Sequence, residues 1–352
     1  MDLVVVCLGM ANLDVVQRVP GHPPRGKKSW CDDVELVAGG PATNAAITTA
    51  AVLRAAGRTD VRVVLVSALG GSPAARIVRD DLVTHGVEVV DLVSDPTEGV
   101  GVGEPHQLPV STALIDPDGE RTVVATDAST TDIPLTDEAR AIVAAAHVLL
   151  LDGHHPVAAD EALTIASGRD GAVTVLDAGS VKPHAEQWIS RLDILAGSAD
   201  YADGLGLDLE AALDHAIEAG AGAAIMTDGG DPGCWRRSAH ARLAPTRPGE
   251  ALHGVLTPQR VTALDTLAAG DTFHGALVAG LVLHERALAP ALELATDVAT
   301  LRVQHAGARA WLRHLSTLPA LAAPPTLAAP EPDVRPSCPA PTETRPGWSA
   351  DG

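Results

Sequence analysis

Short unbroken apolar runs alternate with Ala-rich stretches along most of this chain, and that alternation restricts its fold more than any other feature. Leu3 to Leu8, Val61 to Val66, Val87 to Val93, Val148 to Leu151, Val173 to Leu176, Ile194 with Leu195, and Ala223 to Met226 each predict a strand buried on both faces. Between them, Pro41 to Gly57, Pro73 to His85, Asp137 to Ala146, Ala158 to Ser167 and the stretch around Leu207 to Ala219 predict helices. Repeated β-then-α units imply an α/β fold: a mostly parallel central sheet with helices on both faces, making three layers.

With 352 residues the chain can hold one large α/β domain or two modest ones. Aromatic residues make up only 2%, so Ala, Val and Leu must fill the core. A formal charge of -20 disfavours nucleic-acid and anionic-membrane partners, which are bound through Lys and Arg. Four scattered cysteines without a C-x-x-C pair suit free thiols in a reducing compartment. No signal peptide opens the chain and no apolar run is long enough to span a bilayer, so a soluble cytoplasmic protein is expected. From Pro319 onward Pro, Ala, Thr and charge replace periodicity; residues 316–352 are read as a disordered tail behind a domain of residues 1–315.

The chemistry concentrates in Asp265 to Ala276, DTLAAGDTFHGA. Small residues Ala268, Ala269 and Gly270 precede a carboxylate, Asp271, and a helical pattern from Thr272 that runs to His284; a second helix is predicted over Leu288 to His305. The first amides of a helix lack intrahelical partners and its dipole favours negative charge there, so a phosphate could approach the backbone closely. Asp271 at the lip could then take a proton from an attacking alcohol. On residue type alone, Asp271 could equally be an ordinary helix cap.

Other polar groups follow strand ends, where open α/β sheets place ligands. Asn12 and Asp14 lie beyond the first strand; Gly39 and Gly40 lead into a helix carrying Asn44 one turn in. Asp152, His154 and His155 follow one strand and Asp177 another. Adjacent histidines on a loop diverge and have no regularly spaced third ligand, so no metal site is assigned. Lys27 and Lys28 form a basic island that could anchor an anionic group or simply be a solvated face. Thr227 to Gly233 is a Gly-rich turn after a strand, and the Walker pattern G-x-x-x-x-G-K-[ST] is absent. DPDGE at Asp116 to Glu120 predicts a hairpin turn.

DTLAAGDTFHGAL resembles the C-terminal signature of the PfkB-type, ribokinase-like carbohydrate kinases, GGPATN their N-terminal Gly-Gly-x-x-x-Asn motif, and LGMANLD their first sugar-side motif. The resemblance covers about residues 1 to 315, with features of the ribose-, fructose- and sulfofructose-type members. It implies a ribokinase-like α/β/α fold with a small β-sheet lid, its strands within about 12–38 and 96–126. It implies ATP-dependent phosphorylation of a sugar hydroxyl, with Asp271 as base and an anion hole at Ala268, Ala269 and Gly270. Asn12, Asp14, Gly39, Gly40, Asn44, Lys28 and His154 would meet the sugar; Thr227, Gly229, Gly230, Asp265 and Thr266 would lie on the ATP side. Magnesium carried with the nucleotide, a monovalent cation, and a homodimer paired through the lids are further implications. The family's Asn-x-x-Glu is replaced here by AGSADY, where Ser198 or Asp200 could serve in part. Two other readings stand beside this one: a nucleoside kinase of the same fold, which the scarcity of aromatics disfavours, and a catalytically silent sugar or nucleotide sensor.

Overall fold

A computed structural model describes residues 3–93, 106–117, 121–126, 133–167, 172–238, 243–244 and 251–322. In chain order the strands are β1 (Leu3–Leu8), β2 (Asn12–Arg18), β3 (Asp33–Gly39), β4 (Val61–Ser67), β5 (Glu88–Asp91), β6 (Val110–Ile115), β7 (Arg121–Ala125), β8 (Val148–Leu151), β9 (Val173–Ala178), β10 (Ile194–Ser198), β11 (Ala223–Asp228), β12 (Asp231–Arg237) and β13 (His253–Leu256). The helices are α1 (Pro41–Ala55), α2 (Pro73–Thr84), α3 (Asp137–Ala145), α4 (Pro156–Ser167), α5 (Ala199–Leu205), α6 (Leu209–Glu218), α7 (Ala269–Leu283), α8 (Leu288–Val303) and the short α9 (Pro319–Ala322).

Nine strands form one sheet in the order β13-β12-β11-β10-β9-β8-β1-β4-β5, parallel except where β12 pairs with β11 and β13. The apolar runs are unbroken because alternate side chains enter two separate cores. Val5, Cys7, Val63, Leu65, Leu150, Val175 and Ile225 pack with α1, α2, α7 and α8, whereas Val4, Val6, Leu8, Val64, Leu149, Leu176 and Met226 pack with α3 to α6. This is the expected three-layer α/β/α arrangement.

A second sheet, in the order β3-β2-β6-β7, has the lid strands in the two expected segments. Strands β6 and β7 pair antiparallel, although residues 118–120 of the anticipated DPDGE turn, and residues 94–105 of the second lid segment, lie outside the described residues. The inner face of this sheet carries Val16, Ala113 and Ile115, packed with Leu267 from the loop before α7. The outer face carries the row Leu36, Val15, Thr112 and Val124.

Helix α7 begins at Ala269 rather than Thr272, so Asp271 stands in its first turn. The Leu207 to Ala219 stretch holds α6, which is separated from α5 by the left-handed Gly206. Described structure continues past residue 315: a 3-10 turn at Ala310–Thr317 leads into α9, and Leu315, Leu318 and Leu321 pack on the core at every third residue. Residues 323–352, the rest of the expected tail, lie outside the described residues. Cys7, buried, and Cys31 are free thiols. Among the described residues no helix is long and apolar enough to cross a membrane.

Candidate active site

The carboxyl ends of β1, β8, β9 and β10 converge on the N-termini of α1 and α7. Two close approaches fix that convergence. A Cβ on Gly275 would run into the carbonyl of Ala45 and the Thr48 side chain, so α7 lies backbone-to-backbone against α1. Thr49 Oγ1 lies 2.8 Å from the carbonyl oxygens of both Ala45 and Gly275, a shared donor tying the two helices together.

That packing brings Asn44 to Asp271. Asn44 Nδ2 donates to Asp271 Oδ2 at 2.8 Å, while Asn44 Oδ1 accepts from Arg309 Nη1 at 3.1 Å, which sets the orientation of the amide. The Arg309 guanidinium also donates to the Ala38 carbonyl and lies 3.6 Å from Asp81. Burial, and after it the Asp177 carboxylate, push the Asp271 carboxyl up to about 6, against the Asn44 hydrogen bond and nearby His274, which pull it down. Asp177 itself lies 2.8 Å from His274 Nδ1, both side chains being 5% exposed.

Ala268 caps α7 in a left-handed conformation, φ 57°, and its carbonyl accepts from Thr272. The amides of Gly270 and Asp271 are left without intrahelical acceptors; that of Ala269 reaches back to the Thr266 carbonyl at 3.3 Å. Nothing lies within 4 Å of where a Cβ on Gly270 would be, so open space faces this end of the helix.

On the opposite side, Asn12 Nδ2 donates to Asp14 Oδ1 at 2.5 Å. A side chain on Gly39 would strike the Asp14 carboxylate, and one on Gly40, whose φ is 101°, would strike the Met10 carbonyl. The two glycines therefore make room for the polar pair. Burial raises the Asp14 carboxyl above its usual range, although Asn12, Arg309 and Ser111 oppose the rise. Asp14, Asn44, Ala268 and Arg309 line one small pocket.

Of the other candidates, His154 is half-buried at the end of β8 with its amide bonded to Asp152 Oδ1. Lys28 is exposed in the connection between β2 and β3 and is not brought into this cluster. Thr227 is the penultimate residue of β11, its hydroxyl 3.3 Å from the Gly197 carbonyl, and Gly229 and Gly230 form the open turn to β12. Thr266 is exposed, whereas Asp265 is 4% exposed and turned inward, accepting from the amides of Leu267 and Gly307. That places Asp265 as an anchor of the loop. Ser198 caps α5 by accepting from the Tyr201 amide, and Asp200 is exposed in the first turn.

Sequence reading missed Arg309 and gave Asp152 no role. Asp152 accepts from the amides of Met10, Ala42 and His154, stapling the ends of β1 and β8 to the start of α1. Its place after a strand was visible, but two of its three amide partners, Met10 and Ala42, lie more than 100 residues away. Arg309 follows the last long helix in a segment without periodicity, where no local signal marks it. Lys182 was also missed; it lies across Gly153 at the edge of a second small cleft that Asp177 and Tyr201 help to line.

The sequence model of the pfkB family carbohydrate kinases matches residues 2–314. A ribokinase from Haemophilus influenzae (strain ATCC 51907 / DSM 11121 / KW20 / Rd) is 22% identical over 305 residues, covering 86% of this chain and 92% of that protein. Among solved structures, the ribokinase from Giardia lamblia superposes with a TM-score of 0.72 at 16% identity, over 91% of this chain and 99% of that one. Arabidopsis thaliana ribokinase, complexed with ribose and ATP, superposes with a TM-score of 0.65 at 19% identity, over 90% and 99%. The fold is thus ribokinase-like, and with a family match spanning nearly all of the described structure the chain belongs to the pfkB family of carbohydrate kinases, phosphotransferases that use ATP and an alcohol acceptor.

Proposed function

We propose that this enzyme phosphorylates a sugar hydroxyl with Asp271 as general base and the helix α7 amides as the anion hole. The observation that carries the reading is the carboxylate itself: Asp271 stands in the first turn of a helix whose leading amides face open space, with its carboxyl raised to about 6. A base with that affinity is unprotonated at neutral pH and still able to accept a proton from an alcohol. The amides of Ala268, Ala269 and Gly270 offer the donors for charge developing on the transferred phosphate, Gly270 most directly since Ala269 is partly engaged. Asn12, Asp14 and Asn44 supply donors and acceptors for sugar hydroxyls, held by Gly39, Gly40 and Arg309.

Among the described aromatic side chains only Trp30 is exposed; Phe273, Tyr201, Trp188, Trp235 and Trp311 are buried. Recognition by hydrogen bonds therefore suits a sugar better than a stacked nucleoside base. Thr227, Gly229, Gly230 and Thr266 edge the side left for ATP, with α7 and α8 flanking the adenine. Magnesium, arriving with ATP, neutralises phosphate charge. Ser198 and Asp200 are oxygen donors that fit contact with its retained waters, since the Ser198 hydroxyl is already committed to capping α5. The outer lid face, with Leu36 49% and Val124 70% exposed, is the surface through which two copies would pair.

The deciding experiment is Asp271→Asn assayed with ATP, magnesium and a panel of sugars. Turnover is expected to drop by roughly 10²–10⁴-fold, the range for loss of a general base. Wild-type turnover by the variant on the accepted sugar would exclude the base role, and failure of the native protein to phosphorylate any sugar would favour the silent sensor.

A further inference from the structure

The resemblance implied a monovalent cation, and the loop that carries the anion hole is where its residues can be tested for one. Asp265, which opens that loop, is buried, and its Oδ1 lies 3.3 Å from Arg302 Nη2. Arg302, on the last turn of α8 and 1% exposed, also donates through Nη1 to the carbonyl oxygens of Asp265 at 3.2 Å and His305 at 3.0 Å. From the lid, Arg18 reaches the other carboxylate oxygen of Asp265 at 3.2 Å. Two backbone carbonyls and a carboxylate, drawn from separate segments, thus converge on one buried guanidinium.

Carbonyl and carboxylate oxygens are the donors that hard cations take. Here those oxygens are used by a cation that is covalently part of the chain. An ion cannot share them without meeting the guanidinium, and like charges at such separations in a buried setting repel strongly. The residues do not fit a dissociable monovalent cation. Removing Arg302 would in turn leave a buried carboxylate and two carbonyls short of a partner.

We propose that Arg302 is the built-in counter-ion of the anion-hole loop, so that the loop is held for ATP without any monovalent metal ion. Arg302 is on this view a positioning residue: although it lines the small pocket beside Asp14 and Arg309, it acts through Asp265 on residues 266–271. The inference rests on the kinase reading of that loop, and it predicts indifference to potassium where a cation-dependent relative would respond.

The test compares the full-length protein in potassium chloride with the same protein in choline chloride at equal ionic strength, reading thermal denaturation without nucleotide and calorimetric binding of Mg-ATP. The native protein is expected to show the same Tm and the same ATP affinity in both salts. A potassium-specific rise in Tm, or a tightening of ATP binding by about fivefold or more, the lower end of ordinary coupling between sites, would overturn the proposal. Arg302→Ala is expected to bind ATP at least about fivefold more weakly in choline and to become potassium-sensitive; native affinity in choline would count against the positioning role. If that variant does not fold, the comparison of salts on the native protein still decides. A native protein that binds no ATP in either salt would instead undo the kinase reading, while its Tm in the two salts would still report on Arg302.

Discussion

Asp271 carries a charge that the fold does not welcome. Its carboxyl is raised from 3.8 to about 6, so the folded chain holds that proton more tightly than the unfolded one. Stability from this group is therefore present below about pH 4 and lost as pH rises toward 6, a cost of about 3 kcal/mol by linkage. The proposed base role requires the ionised form, so kcat/KM is expected to fall with unit slope on the acid side of a midpoint near 6, read from a pH–rate profile. Gly270 separates activity from stability in another way. No protein atom would obstruct a methyl group there, and its helical backbone needs no glycine, so Gly270→Ala should raise stability by about 0.5–1 kcal/mol in urea titrations. The same methyl group would intrude on the phosphate, and ATP turnover is expected to fall by tenfold or more.

Between elements, the contact that matters most is the one between α1 and α7. Both helices start at the site, and Gly275 lets them meet closely enough for Asn44 to reach Asp271. Gly275→Ala would press a methyl group into backbone, with an expected loss of about 1–3 kcal/mol by urea denaturation and a drop in kcat as Asn44 is displaced. The motifs at either end of this contact were legible in the sequence because each is local: GGPATN and AAGDTFHGA announce small residues, a helix start and a carboxylate within a few positions. Their meeting was not legible, because it depends on Thr49, Gly275 and Arg309, which pair across more than 200 residues. That Asp265 turns inward was hidden for a similar reason. Its position in the motif is local, but its partners Arg18, Arg302 and Gly307 are distant. The helix start was set three residues late because a left-handed alanine at 268 leaves no propensity signal.

For the whole molecule, the layering of a mostly parallel sheet between helices was legible in the sequence because strand and helix patterns alternate, whereas the order of the strands, set by pairings between distant segments, was not. The lid was legible only through resemblance, its strands being half-exposed and mixed in polarity. Its outer row places Leu36 and Val124 in water beside Val15 and Thr112. Val124→Asp should lower the sedimenting mass from two chains to one without changing the Tm of the monomer, because the side chain makes little contact within its own subunit; an unaltered mass would exclude lid pairing.

The lid also grips the loop that leads into α7. Arg18 on β2 is bonded to Asp265, Glu35 on β3 accepts from the Ala308 amide, and Leu267 packs under the inner face of the sheet. A shift of these strands would pull on the residues that lead into Asp271, so the small sheet and the start of α7 form one mechanical unit.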